Sequence, residues 1–280
     1  MSHHNKTLVK KIGIYFSYAV ITLFFLFPLL WIISMSFKTS QELFAIPPTL
    51  IPETFAIENY RYVLETTGVV NYLKNSAIIV FFTVIFTLLV SVPAAYALSR
   101  FKFKLKVPIL ITVLMTQMIS AVVISIPLYR LFSNWNLLNN YIVLIIVYVS
   151  VVLPLATWFL KGYFDTIPAV LDEAATIDGA NRWQFITKIL FPTSMPGIVS
   201  VTILVAVQSW SQFVIPFILL DDESLYPVSV GVMNLQSTQQ AVTTHYLAAG
   251  SVISVIPVII LFVVFQRLIV GALTSGAVKG

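Results

Sequence analysis

Few side chains in this 280-residue chain could do chemistry, and those few are amides and rings rather than nucleophiles. Gln208 and Gln212 stand four positions apart, with Trp210 and Ser211 between them, inside an otherwise oily run. At helical spacing the two amides share one face. Gln117 is a further amide deep in a separate apolar run. Amides hydrogen-bond hydroxyls and an aromatic ring covers a pyranose face, so this set suits a neutral, polyhydroxylated ligand. The same groups also serve as hydrogen bonds between membrane helices, each worth about 0.6–2 kcal/mol. The sequence is compatible with both uses.

Other chemistries are excluded. There is no cysteine, so disulfides and thiolate metal sites are ruled out. Histidine occurs only at His3, His4 and His245, which makes no metal centre. No G-x-x-x-x-G-K-[ST] occurs, so the chain cannot cradle ATP phosphates in a Walker loop. The apolar runs lack the Asp, Glu and His that relay protons or bind coupling ions. No catalytic residue, metal ligand or cofactor is therefore assigned to the chain.

The elements that must position these amides lie in lipid. Hydrophobic residues make up 59% and charged residues 10%, against about a quarter charged in an ordinary soluble domain. A helix crossing a bilayer needs roughly 20 apolar residues. Six stretches qualify, at about 13–36, 72–98, 108–131, 141–161, 197–220 and 246–270. Backbone groups in lipid must be satisfied internally, so the expectation is an all-α polytopic protein with six transmembrane helices. Each stretch holds an internal proline (Pro28, Pro93, Pro127, Pro154, Pro216, Pro257), which marks kinks lining a path or simple packing irregularity. The basic head and apolar run at the start resemble a secretory signal. The run extends from Gly13 to Phe37, however, beyond the roughly 7–15 residues of such a signal, and reads as a retained anchor.

Charge sets the orientation. With the N-terminus inside, the inner segments hold twelve of the sixteen Lys and Arg, leaving Lys38, Arg61, Lys74 and Arg130 outside. That asymmetry places both termini in the cytoplasm. It also makes the run RFKFKLK at 100–106 a topology signal rather than a nucleic-acid site. Outside, residues 38–70 carry Pro47, Pro48, Pro52 and four acids, and 221–245 opens with Asp221-Asp222-Glu223. These segments face an extracytoplasmic partner or are plain solvated loops.

One cytoplasmic loop interrupts the oily pattern with polar residues and glycine. It runs from about 162 to 196 and includes LDEAATIDGANRWQFITKILFP. Pro168 suits a helix start, and Asp172 and Glu173 fall in the first turns, where carboxylates favour the positive helix end. Ala174 and Ala175 are strong helix formers with little bulk, and Gly179 can enter a turn closed to other residues. A second helix is expected from Ala180, with Trp183, Ile186, Ile189 and Leu190 on one side and Pro192 as its boundary. The product is a helix–turn–helix on the membrane face, used either to dock a partner or to cover the base of the bundle.

This stretch resembles the signature of the membrane subunits of ABC importers. The pattern is E-A-A, three residues, G, nine residues, I-x-L-P, and here it reads Glu173-Ala174-Ala175, Gly179, Ile189-Leu190-Phe191-Pro192, with Phe191 where leucine is usual. The fuller run GYFDTIPAVLDEAATIDGANRWQFITKILFPTSMPG, the ending GAVKG, SMSFK (34–38) and WSQF (210–213) are similar to the carbohydrate branch, specifically the smaller maltose-type permease. That branch often has Trp-Asn where this chain has Trp210-Ser211.

The resemblance implies a type I importer fold, with an anchor and first outer loop over 1–70, a transmembrane domain over 71–270 and a tail over 271–280. It implies a second homologous permease, two ATPase subunits that bind ATP and Mg2+, and an extracytoplasmic solute-binding protein delivering a carbohydrate. Glu173, Ala174, Ala175, Asp178, Gly179 and Ala180 would form the coupling helix and its turn. Gly276, Ala277, Val278 and Lys279 would reach between the ATPases, unless they are an ordinary disordered terminus. Gln117, Gln208, Trp210, Ser211 and Gln212 would line the substrate pathway, although in this branch the larger permease makes most sugar contacts. A non-sugar polar cargo (a glycerol phosphate, an amino acid or a polyamine) is the competing reading. A charged cargo should bring an Arg, Lys or acid to the cavity, and no such side chain is visible in the spans.

Overall fold

All regular structure among the described residues is helical. The computed structural model describes residues 3–235 and 244–277, with side chains placed for 11–181, 183–235 and 244–266. Val278 and Lys279 lie outside it, and Gly276 and Ala277 are described by backbone alone.

The principal helices are α1 (His3–Ser36), α2 (Val69–Arg100), α3 (Lys106–Met115), α4 (Ala121–Asn134), α5 (Tyr141–Phe164), α6 (Val170–Ile177), α7 (Met195–Trp210), α8 (Val214–Leu219) and α9 (Thr244–Ala277). Four stretches are long and apolar enough to cross a membrane: Lys11–Ser36, Val69–Arg100, Tyr141–Phe164 and Thr244–Gln266. Two bent pairs complete six if each is one span. Lys106–Met118 meets Ala121–Asn134 at 90°, and Trp183–Thr193 meets Met195–Trp210 at 77°.

The expected spans at 108–131 and 197–220 are each interrupted; no proline falls at the first break, whereas Pro216 leaves the Gln212 carbonyl without its helical donor at the second. Pro28, Pro93, Pro127, Pro154 and Pro257 all sit inside continuous helices. The first break falls where Ile119 turns extended and the Ser120 hydroxyl accepts from Val122 N at 3.3 Å, capping α4. The 77° bend falls at Ser194, and the stretch 197–220 is interrupted separately at Ser211–Phe213, between α7 and α8.

The chain divides into two compact units. One comprises Met1–Val69 with Val232–Val255. In it Asn59 Nδ2 donates to the carbonyls of Ser36 (2.9 Å) and Lys38 (3.0 Å), and Lys38 lies over the Trp31 ring at 5.4 Å. The apolar window of α1 is exposed throughout, as a lipid-facing helix must be.

The other unit, Val70–Gly231 with Ile256–Gly280, carries the amides and the polar loop. One cluster of its core joins Ala95 and Tyr96 of α2, Val152, Leu160 and Phe164 of α5, Ala175 of α6, and Ile198 and Val205 of α7. Another joins Ile79, Leu144, Tyr148, Ile215 and Leu219.

Hydrogen bonds sort the loops of this unit into two ends. At one, Asn75 Nδ2 donates to Ser224 O (2.8 Å) and Tyr226 O (3.0 Å), and Asn139 Oδ1 accepts from the amides of Asp221 (2.6 Å) and Asp222 (3.1 Å). At the other, Ser99 Oγ donates to Asp165 Oδ1 at 2.7 Å. The start of α2 and the α4–α5 connection therefore share one end, and the finish of α2 shares the other with the polar loop.

Candidate coupling site and substrate pathway

The polar loop folds as a short amphipathic helix, a glycine turn and a bent return. Asp172 and Glu173 occupy the first turn of α6, facing the positive end of its dipole. Gly179 follows at φ 78°, the left-handed conformation that its lack of a Cβ makes accessible. Ala180 N then bonds back to Ala175 O at 2.9 Å, closing the turn.

The return starts as a helical turn, Arg182–Phe185, and runs directly into a π turn, Ile186–Leu190. Asn181 and Gln184 bond reciprocally, Gln184 N to Asn181 Oδ1 at 2.8 Å and Asn181 N to Gln184 Oε1 at 2.9 Å. This is a capping box with amides in both roles.

Burial divides the expected coupling residues. Glu173, Ala174, Asp178 and Gly179 are exposed and Ala180 is half-buried. Ala175 is 4% exposed and packs into the chain's own core, away from the outward surface. Ile177 is 86% exposed and Trp183 72%, with Val170 also outward.

Trp183 does not share one side with Ile186, Ile189 and Leu190, contrary to what their spacing suggested. Instead Phe185 takes that place, tilted against Tyr96 at 6.1 Å between ring centroids. The π turn adds a residue to the helical repeat, so a 3.6-residue count misplaces the face around it. The outward surface is therefore a small acidic and apolar knob of Glu173, Ala174 and Ile177. Ile177 was not singled out by the sequence, although an exposed apolar residue there, with Trp183 outward beyond the left-handed glycine, is a signal of a covered surface.

The loop is anchored by charge as well as packing. Arg100, the last residue of α2, places Nε 3.0 Å from Asp172 Oδ2 and donates from Nη1 to Phe164 O at 3.3 Å. Burial pushes the Asp172 carboxyl above the usual carboxylate range, and the neighbouring guanidinium draws it partly back.

The pathway amides are distributed differently from the expectation. Gln208 is exposed near the end of α7, but the helix stops at Trp210 and Gln212 lies in the break. The two glutamines therefore do not share a continuous helical face. Ser211 Oγ bonds back to Val207 O at 3.0 Å, and Trp210 is half-buried. Gln117 Nε2 donates to Val151 O at 2.9 Å, so this amide links α5 to the bend between α3 and α4. Gln212 contributes its carbonyl, which accepts from Ser229 Oγ at 2.7 Å and Tyr148 OH at 3.5 Å. Both breaks thus meet α5 within a single turn, at Tyr148 and Val151.

The chain matches one family over most of its length. Residues 88–275 fit the profile of the binding-protein-dependent transport system inner membrane component. The chain belongs to this family.

As a permease of that family it is similar to the trehalose/maltose transport system permease protein of Thermococcus litoralis, at 34% identity over 98% of both chains. It is also similar to the arabinooligosaccharides transport system permease protein of Halalkalibacterium halodurans, at 33% identity over 94% of both chains. Its fold matches the crystal structure of a bacterial ABC transporter involved in the import of the acidic polysaccharide alginate, with a TM-score of 0.80 at 24% identity, covering 95% of this chain and 98% of that one. The type I importer transmembrane fold follows.

Proposed function

We propose that this permease forms half of the translocation pathway of an ATP-driven importer for a sugar or oligosaccharide. Its second half is a homologous permease, its energy comes from two ATPase subunits that bind ATP and Mg2+, and an extracytoplasmic binding protein delivers the cargo. Both termini lie in the cytoplasm, and the chain itself hydrolyses nothing.

The observation that carries this reading is the knob of α6. Glu173, Ala174 and Ile177 stand outward beside a turn that only Gly179 makes cheaply. An apolar side chain that exposed on a loop of a membrane protein is a surface waiting for a cover. Glu173 adds a charge for a basic group on the covering protein, and Ala174 lets that protein's backbone approach. When two ATPases close, two such knobs move together, and the attached spans follow.

The sugar class is supported by the relatives' cargoes and by the uncharged amides near the breaks. Gln208 is exposed and carries an amide suited to hydroxyls, Trp210 is half-buried beside it, and Gln117 is already engaged with α5. Reconstitution with the ATPase and binding protein in liposomes tests the reading. Uptake of a labelled disaccharide or oligosaccharide that depends on ATP supports it. Uptake confined to a glycerol phosphate, amino acid or polyamine, or uptake needing no ATPase, overturns it.

A further inference from the structure

We propose that Arg100 and Asp172 form the strut by which a displacement of α6 reaches α2, a positioning pair rather than a stabilising one. The proposal rests on α6 docking an ATPase, and it concerns what happens to the motion after docking.

Two features make the pair directional. First, α6 has almost no other hold on the bundle, since Ala175 is its only buried residue and an alanine covers little surface. Second, Arg100 grips both ends of the connection between α5 and α6, donating to Phe164 O before it and pairing ionically with Asp172 after it. Next to Arg100, Ser99 bonds Asp165, which Lys161 pairs at 2.5 Å. Residues 164–172 are thereby tied to the last turn of α2, whose backbone runs unbroken from Val69 to Arg100. A push on α6 is delivered to the full length of a span that is remote from it in sequence.

The chemistry argues against a purely stabilising role. The side chains of Arg100 and Asp172 are only 10% and 24% exposed, and removing such charges from water opposes their attraction. The raised Asp172 carboxyl reports the same balance, since burial outweighs the guanidinium beside it. A pair that gives little stability while fixing one geometry is suited to register or switching.

Space is present as well. A cavity of about 250 Å3 opens beside the pair, lined by Tyr96, Phe101, Thr176 and Phe185. Arg100 Nε and Nη2 and Asp172 Oδ1 are buried there without a hydrogen-bond partner, so the pair meets as an ion contact. The pair can therefore slide or exchange contacts without expelling a packed side chain.

The test uses the whole importer in liposomes, with Arg100→Gln, Asp172→Asn and the exchange R100D/D172R. Co-purification of the ATPase, thermal stability and sugar moved per ATP are measured together. The single variants should keep the ATPase and the melting temperature while transport per ATP falls about tenfold, and the exchange should recover most of it. Should Arg100→Gln not accumulate, Asp172→Asn, which conserves volume, carries the same expectation. Full coupling in the singles, or a loss that tracks melting temperature and is not rescued by the exchange, overturns the strut. If the unaltered permease fails to retain the ATPase, the docking reading fails instead.

Discussion

Tyr163 occupies the space that a side chain on residue 197 would need. A Cβ built on Gly197 would stand 2.4 Å from the ring Cγ and under 3 Å from both Cδ atoms. The contact joins the last turn of α5 to the first turn of α7, across the whole polar loop. Gly197→Ala should therefore force the ring aside and destabilise the permease by about 1–3 kcal/mol. Gly162→Ala, with open space around it on the neighbouring turn, should be neutral or slightly stabilising. Thermal unfolding in detergent separates the two, and equal effects would remove the steric argument.

Gly179 adopts φ 78° with nothing near its Cβ position, so substitution there is a matter of backbone strain and surface, not crowding. Gly179→Ala should strain the turn by about 1–2 kcal/mol. Gly179→Asp, or Glu173→Lys on the adjoining knob, should abolish substrate-stimulated ATP hydrolysis while the protein still inserts. Normal uptake in either would show that the knob is not the docking surface.

Asn139 caps the opposite end of the bundle, accepting from the amides of both Asp221 and Asp222. It does so at φ 56°, which glycine also adopts. Asn139→Gly keeps the backbone and deletes only the acceptor, leaving two amides to find water, at about 1–3 kcal/mol. Faster hydrogen exchange at Asp221 and Asp222, with the coupling loop unchanged, is the expected pattern.

Two aspartates should answer pH with opposite signs. Asp222 is held below the usual carboxylate range by hydrogen bonds from the Ser224 hydroxyl and amide. Its contribution is present above the ordinary value of about 3.9 and is lost only as pH falls through the lower folded value. Asp172 is raised by burial, so its contribution is full below that value and is lost as pH rises through the higher folded one. Removing Arg100 takes away the opposing charge and should carry that loss to higher pH. Amide exchange across 170–177 and 222–224, followed against pH, checks both directions.

Orientation is tested by reporters. A fusion after Lys188 should read cytoplasmic and one after Ser237 extracytoplasmic, since twelve of sixteen basic residues fall on one side. Reversal of either would invalidate the charge count.

The long apolar runs and the glycine turn were legible because each rests on local signals, twenty oily residues or one special φ. The breaks were not. A hydropathy window averages over Ile119–Ser120 and Ser211–Phe213; Pro127 sits inside α4, and Pro216 acts four residues before itself, at Gln212. Trp183 was grouped on one side with Ile186, Ile189 and Leu190 because a 3.6-residue count assumes no π turn. Ala175 reads like its neighbour Ala174, and only tertiary packing buries one and exposes the other. Arg100 was visible as one basic residue among several. Its pairing with Asp172, 72 positions on, depends on which helix ends meet, and no local pattern encodes that.

The turn of α5 between Tyr148 and Val151 touches both interruptions, one through Gln117 and one through Gln212. Only short-range turn bonds close the backbone at those points, and side chains on one turn of a single helix supply the cross-links. That turn therefore fixes both interruptions at a common height.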